Sequence, residues 1–290
     1  MTSPLTLRTT AQSLADPLPA LLAQADHLAA TVLLGDHGRR RAGMGDTFWQ
    51  YRAAQSGDDL RRIDWRRSAR ADSNFVADKE WQIAQSVLLW VDHAASMSFT
   101  SSDDTPTKAA RARALALATA ILLDRGGERV GLTGTRLPPR RGSGQITQMA
   151  AILCEDSAAD YGAPDANDIT PHARAVFISD FLGDISGTEE ALFKASDTGV
   201  RGALLQVLDA QEETFPFHGR TIFQSMGGGY EHETLQAGEL RNRYLDRLAA
   251  RKARLELLAQ RTGWQFHTHH TNTPATSALL WLYKSLARQT

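Results

Sequence analysis

The chain has 290 residues, 42% of them apolar, enough to bury one large core with an elaborated N-terminal extension. Its 32 Lys and Arg against 33 Asp and Glu give no whole-molecule field that would draw it to nucleic acid or an anionic membrane, so an electrostatic partner must be read locally. The single cysteine, Cys154, excludes an intramolecular disulfide and a cysteine-based zinc cluster. No apolar run nears the ~20 residues of a membrane span, and the polar start lacks signal-peptide form, so a reducing, cytoplasmic setting is expected.

In chain order, apolar residues at three- and four-residue spacing predict an amphipathic helix over 17–34, stopped at Gly35 and followed by a glycine- and arginine-rich loop to Gly45. Short extended pieces are expected at 48–51 and 75–76, flanking the segment GDDLRRIDWRRSAR. The rhythm then changes. Apolar strands at 87–91, 129–135, 175–180 and 202–209 alternate with helices over 108–123, 145–153 and 189–196, the pattern of a doubly wound, mostly parallel α/β sheet covered on both faces. A hairpin insertion near 215–235, turning at Gly227, Gly228 and Gly229, precedes a long charged helix over 237–261. Leu240, Tyr244, Leu248, Leu255 and Leu258 lie on one side of that helix and suit core packing. A strand over 264–267 and a helix over 274–287 close the chain. Residues 1–84 thus read as a helical and β extension, and 85–290 as the sheet domain.

Two strands run into aspartate, Asp92 and Asp180, and open parallel sheets bind ligands where loops leave the carboxyl ends of such strands. Carboxylates there, with hydroxyls beside them, suit a hard cation. The run Asp92-His93-Ala94-Ala95-Ser96-Met97 resembles the Asp-x-Ser-x-Ser loop of von Willebrand factor type A domains, with Ser96 matching the second serine and Asp180 the later acid. The resemblance implies a metal-ion-dependent adhesion site in which Asp92, Ser96 and Asp180 hold Mg²⁺, directly or through water, and a partner's carboxylate completes the shell. Ala94 removes the first hydroxyl, which leaves a degraded site, and the alternative is a hydrogen-bonded loop without metal. The family's threonine ligand has no counterpart beyond a guess at Thr147.

Upstream, Phe48-Trp49-Gln50-Tyr51-Arg52, Gly57-Asp58, Arg62-Ile63-Asp64-Trp65 and Ser68-Ala69-Arg70 are similar to the hallmark of the domain of unknown function family 58, a stretch placed just before a von Willebrand-like domain. Lys79-Glu80-Trp81, LLWVD, ISDF and LLQVLD extend the match. The resemblance implies a bacterial, non-catalytic adaptor or co-chaperone that acts on protein clients with a MoxR-type AAA+ ATPase. Between Gly38 and Arg70 nine arginines face four acids. Arginine pairs bidentately with carboxylate or phosphate, so Arg61, Arg62, Asp64, Trp65, Arg66, Arg67 and Arg70 form either a docking surface or an internally paired packing motif in which Ile63 and Trp65 alternate as in a half-buried strand.

The other function class, nucleic-acid binding through the Arg/Trp-rich segment 39–70, rests on Trp49, Tyr51 and Trp65 between the arginines, and the interleaved acids weigh against it. His267 and His269 share a strand face and would allow a metal, but a solvated strand end is the expected reading. No Gly-x-Ser-x-Gly elbow or P-loop is present, so ATP hydrolysis is assigned to the partner.

Overall fold

A computed structural model describes residues 3–17, 42–43, 47–54, 63–69, 74–80, 84–135, 137–229 and 231–286. The chain forms two compact units, one built from α1 and the chain after residue 84, the other lying within residues 29–84.

In the larger unit, α1 (Pro4–Ala15) starts where the Ser3 hydroxyl accepts from the Thr6 backbone N–H and Pro4 occupies the first turn. Leu7, Ala11 and Ala15, four residues apart, form its buried stripe. This helix was not foreseen, and the one expected over 17–34 falls, apart from Pro17, outside the described residues. The strands are β4 (Ser86–Val91), β5 (Arg129–Leu132), β6 (Arg174–Ser179), β7 (Arg201–Leu208) and β10 (Gln265–His270), all paired in parallel in the order β10-β7-β6-β4-β5. Counted by chain position within the sheet the order is 2-1-3-4-5, a Rossmann-like arrangement that reverses between β4 and β6.

Alternate residues of β4 supply the two faces. Val87, Leu89 and Val91 face a core with α1, α3 (Lys108–Arg125), α4 (Ser143–Leu153) and α8 (Ala275–Leu286), while Leu88 joins a second core with α5 (Ser186–Asp197) and α7 (Ala237–Thr262). α6 (Ala210–Thr214) is one short turn, opened by a capping box between Asp209 and Glu212 and closed by Phe215 in the left-handed region at φ 43°. The expected insertion is the hairpin of β8 (Thr221–Gln224) and β9 (Glu231–Thr234). The last strand runs three residues further than expected, pairing with β7 through His270, so the histidines lie within the sheet and His269 is buried. No described helix is long and apolar enough to cross a membrane.

In the smaller unit β1 (Ala42–Gly43), β3 (Phe75–Glu80) and β2 (Thr47–Ala53) form an antiparallel sheet in that order. The strand expected around Ile63 and Trp65 is a single bridge from Ile63 to Val76, after which the chain turns helical at α2 (Trp65–Ser68). The cause is local: Asp64 Oδ1 accepts from the Arg67 N–H at 3.0 Å and starts the turn. Ser68 Oγ accepts from the Phe75 N–H at 2.8 Å and pins the turn to β3.

Candidate functional site

The loops leaving β4 and β6 must diverge because β5 lies on the far side of β4, and the crevice this opens at the carboxyl edge holds both strand-end acids. Asp92 is 1% exposed. Its Oδ1 accepts from the Ala94 N–H at 2.8 Å, and its Oδ2 from Ser179 Oγ at 2.7 Å and the Gly162 N–H at 3.3 Å. Position 162 must be glycine for this approach, since a Cβ there would lie 2.3 Å from Asp92 Oδ1. Burial pushes the Asp92 carboxyl above the ordinary carboxylate value, the hydrogen bonds from Ala94 and Ser179 oppose it, and the Asp180 charge adds to it.

The second acid is held by a lysine. Lys108, 1% exposed, is the first residue of α3, where the helix dipole disfavours a cation. Two carboxylates offset that cost: Nζ donates to Asp180 Oδ2 at 2.8 Å and to Glu212 Oε1 at 2.6 Å. Asp180 Oδ1 accepts from the Leu182 N–H at 3.0 Å, and Glu212 Oε2 from the Asp209 N–H at 2.8 Å. Burial alone would lower the Lys108 pKa, but Asp180 and Glu212 outweigh it and hold the ammonium above its ordinary value. Glu212 is raised, chiefly by burial and against the pull of Lys108. Arg251 steadies the turn after Asp180 by donating from Nη1 to the Phe181 and Gly183 carbonyls at 3.0 and 2.6 Å.

Above these charges lies a cavity of 390 Å³. Ser96, Lys108, Asp160, Asp180 and Glu212 form its polar side, and the hairpin and α7 cover it with aromatic rings. Phe215 stacks on Phe223 at 5.6 Å and on Tyr244 at 4.9 Å, with Phe217 edge-on to Phe215 at 5.2 Å. Burial drives the Tyr244 hydroxyl far above its ordinary value, with Glu212 and Asp180 adding to the shift. Ser96 Oγ and Asp160 Oδ1 are buried without a hydrogen-bond partner. The hairpin turn seats directly on Asp160, where a Cβ on Gly227 would come within 1.9 Å of Oδ1.

The structure places Ser96 and Asp180 in the cavity wall, while Asp92 does not line the cavity and lies near enough to Asp180 to feel its charge. The donor set does not fit Mg²⁺ as it stands. Every carboxylate oxygen of Asp92 and Asp180 already accepts from a protein donor, and an ammonium sits where a cation's charge would be needed. Thr147 lies on α4, where its hydroxyl accepts from Arg8 Nη1 at 2.8 Å. The ring of His93 is held by the Glu155 carbonyl at 2.7 Å. His267 stacks on Trp281 at 5.0 Å, whereas His269 contacts Thr273 Oγ1 at 3.2 Å, so the two do not converge. Among the described residues no three His, Cys, Asp or Glu side chains form a metal-holding group.

Of the hallmark residues, Arg61, Arg62 and Arg70 lie outside the described residues. Asp64 serves as a helix cap, Trp65 is 58% exposed, Arg66 is exposed, and the Arg67 guanidinium lies 5.4 Å from the Phe75 ring centre. Sequence reading missed Lys108, Asp160, Glu212 and Tyr244 as members of the crevice. The available signal for Lys108 was a lysine at the first position of a largely buried helix, against the dipole.

Comparison with known proteins gives relatives without assigned activity. The chain is 30% identical over 241 residues to the uncharacterized proteins Rv1480 of Mycobacterium tuberculosis and Mb1516 of Mycobacterium bovis, covering 77% of this chain and 74% of each relative. Among solved structures it is similar to the conserved hypothetical protein BatB of Bacteroides thetaiotaomicron, with a TM-score of 0.38 at 13% identity over 70% of this chain and 99% of that one. It is also similar to an aerotolerance-related membrane protein of Bacteroides fragilis, with a TM-score of 0.39 at 16% identity over 70% and 98%. Residues 50–254 match the family described as protein of unknown function DUF58, and the chain belongs to that family.

Proposed function

We propose that the chain is a non-catalytic protein-interaction module, an adaptor or co-chaperone working in the cytoplasm with a MoxR-type AAA+ ATPase. Its recognition site is the carboxyl-edge crevice of a von Willebrand factor type A-like unit. The observation that carries this reading is the buried Lys108 ammonium bonded to both Asp180 and Glu212. Asp180 is neutralised by Lys108 and the Asp92 oxygens are taken up by neutral donors, so the crevice works without a bound cation and offers a preformed cavity under an aromatic roof. The strand-end acids and Ser96 beside Asp180 support the type A comparison, and the capped hallmark turn supports a packing role for its described residues.

The test is co-purification and ATPase stimulation with the cognate MoxR-type enzyme, comparing the wild type with Phe223→Ala/Tyr244→Ala and with Arg66→Glu/Arg67→Glu. Loss confined to the crevice variant is the expected result. Loss confined to the arginine variant moves the docking site to the hallmark segment, and unchanged binding by both refutes the proposal. An oligonucleotide-binding titration at two salt concentrations tests the nucleic-acid alternative over 39–70.

A further inference from the structure

We infer that the crevice receives a lysine or arginine side chain of a partner protein, the opposite charge to the carboxylate that a metal-bearing site would capture. This rests on the crevice being the recognition site.

The sign follows from the groups around the cavity. Asp160, Asp180 and Glu212 line it against one ammonium, Lys108, so the wall carries more negative than positive charge. Lys108 already donates to two carboxylates, which limits what it offers an incoming anion. The groups left without partners are oxygens: Ser96 Oγ, in a residue 9% exposed that lines the cavity, and Asp160 Oδ1. A cation entering the cavity would offset the surplus of negative charge on its wall, whereas a carboxylate would add a fourth negative charge there.

The shape agrees with the charge. At 390 Å³ the cavity suits one long side chain with its flanking backbone, near the lower end of ligand-sized pockets. Rings of Phe99, Tyr161, Phe215 and Tyr244 line it, and aromatic faces attract ammonium and guanidinium groups. Ile222, Phe223 and Met226 of the hairpin give the apolar surface that an aliphatic stem needs.

The experiment is an NMR titration of the full chain with the N-acetyl methylamides of lysine, arginine, norleucine and glutamate, each with and without Mg²⁺, following the amide signals of Ser96, Tyr161 and Tyr244. The inference expects the lysine and arginine probes to shift these signals at least about tenfold more tightly than norleucine, independently of Mg²⁺. Asp160→Asn, which removes one of the three lining acids, should weaken the lysine probe several-fold while leaving norleucine unchanged. Norleucine binding as well as lysine overturns the inference, because the cavity then reads only apolar surface. Tighter Mg²⁺-dependent binding of glutamate also overturns it, yet leaves the crevice as the recognition site. No shift with any probe overturns both the inference and the crevice reading.

Discussion

Replacing Lys108 by Met removes the ammonium that bonds two buried acids, and the size of the effect follows from the geometry. At 2.8 and 2.6 Å the ammonium gains about 6 kcal/mol from each carboxylate at an effective dielectric constant of about 20. Burying three ions costs several kcal/mol apiece, so the triad is close to balanced against water. Removing one partner retains the burial cost of the others and loses the attraction, which for buried pairs amounts to about 3–5 kcal/mol. Met fills nearly the same space, so little of that loss would come from packing.

The penalty should depend on pH in a defined direction. Burial already raises Glu212, and without the ammonium that opposes this rise Glu212 binds its proton more tightly in the folded state than in the unfolded chain, so the folded state holds more protons just above the ordinary carboxylate range. Stability then falls as pH rises, and the deficit of Lys108→Met is larger at pH 7.5 than at pH 5. Urea denaturation at both values measures this, with an unchanged m-value showing that the unfolding reaction is the same. Adding Glu212→Gln should recover a good part of the loss, because it removes one uncompensated charge. A loss below about 1 kcal/mol at pH 7.5, or one independent of pH, would refute the ion triad as the organising feature of the crevice.

Mg²⁺ or Mn²⁺ should leave the melting temperature where it is in the wild type and in Asp92→Ala alike, and a saturable stabilisation that needs Asp92 would contradict the substitution of Lys108 for a cation. His269 is pushed down to about 4 by burial, with Arg111 and the neighbouring histidines adding to the shift. Its folded pKa lies below the unfolded one, so the stability it confers is complete above pH 6.5 and is lost as pH falls toward 4. His269→Gln should remove roughly 2–3 kcal/mol of the acid-side loss, read from denaturation curves across that range. Gly227→Ala forces the hairpin tip off Asp160 and should speed hydrogen exchange in β8 and β9 while leaving the central sheet unchanged; uniform protection would show that the roof does not depend on that contact.

The sheet was legible because its strands are buried on both faces and read as unbroken apolar runs, of which VFIS in β6 is the clearest. The acids at the ends of β4 and β6 were legible for the same reason, since a charge ending such a run marks the carboxyl edge. α1 was not, because two of its three buried residues are alanines, which give little apolar contrast. The Ile63 to Trp65 alternation gave the wrong period because Asp64, a good strand interruption, is a better helix cap. Lys108 and Glu212 meet across 104 residues, and local spacing carries no information about such a contact. Tyr244 shares a helix face with Leu248 and Leu255, so its periodicity says buried without saying that it is buried against a hairpin rather than the sheet.

The aromatic roof has a consequence for how such a protein diversifies. Asp180 follows β6 directly and Lys108 opens a helix packed in the core, so altering the spacing of these two means altering the core. Phe215, Phe217, Phe223 and Tyr244 instead contact one another and form a small cluster of their own over the hairpin. A hairpin with its own packing can lengthen, shorten or exchange residues without disturbing the strands beneath it. Under the function proposed above, exchanging residues 215–235 between relatives would change the apolar part of the cavity roof while the stability of the recipient's sheet stays its own.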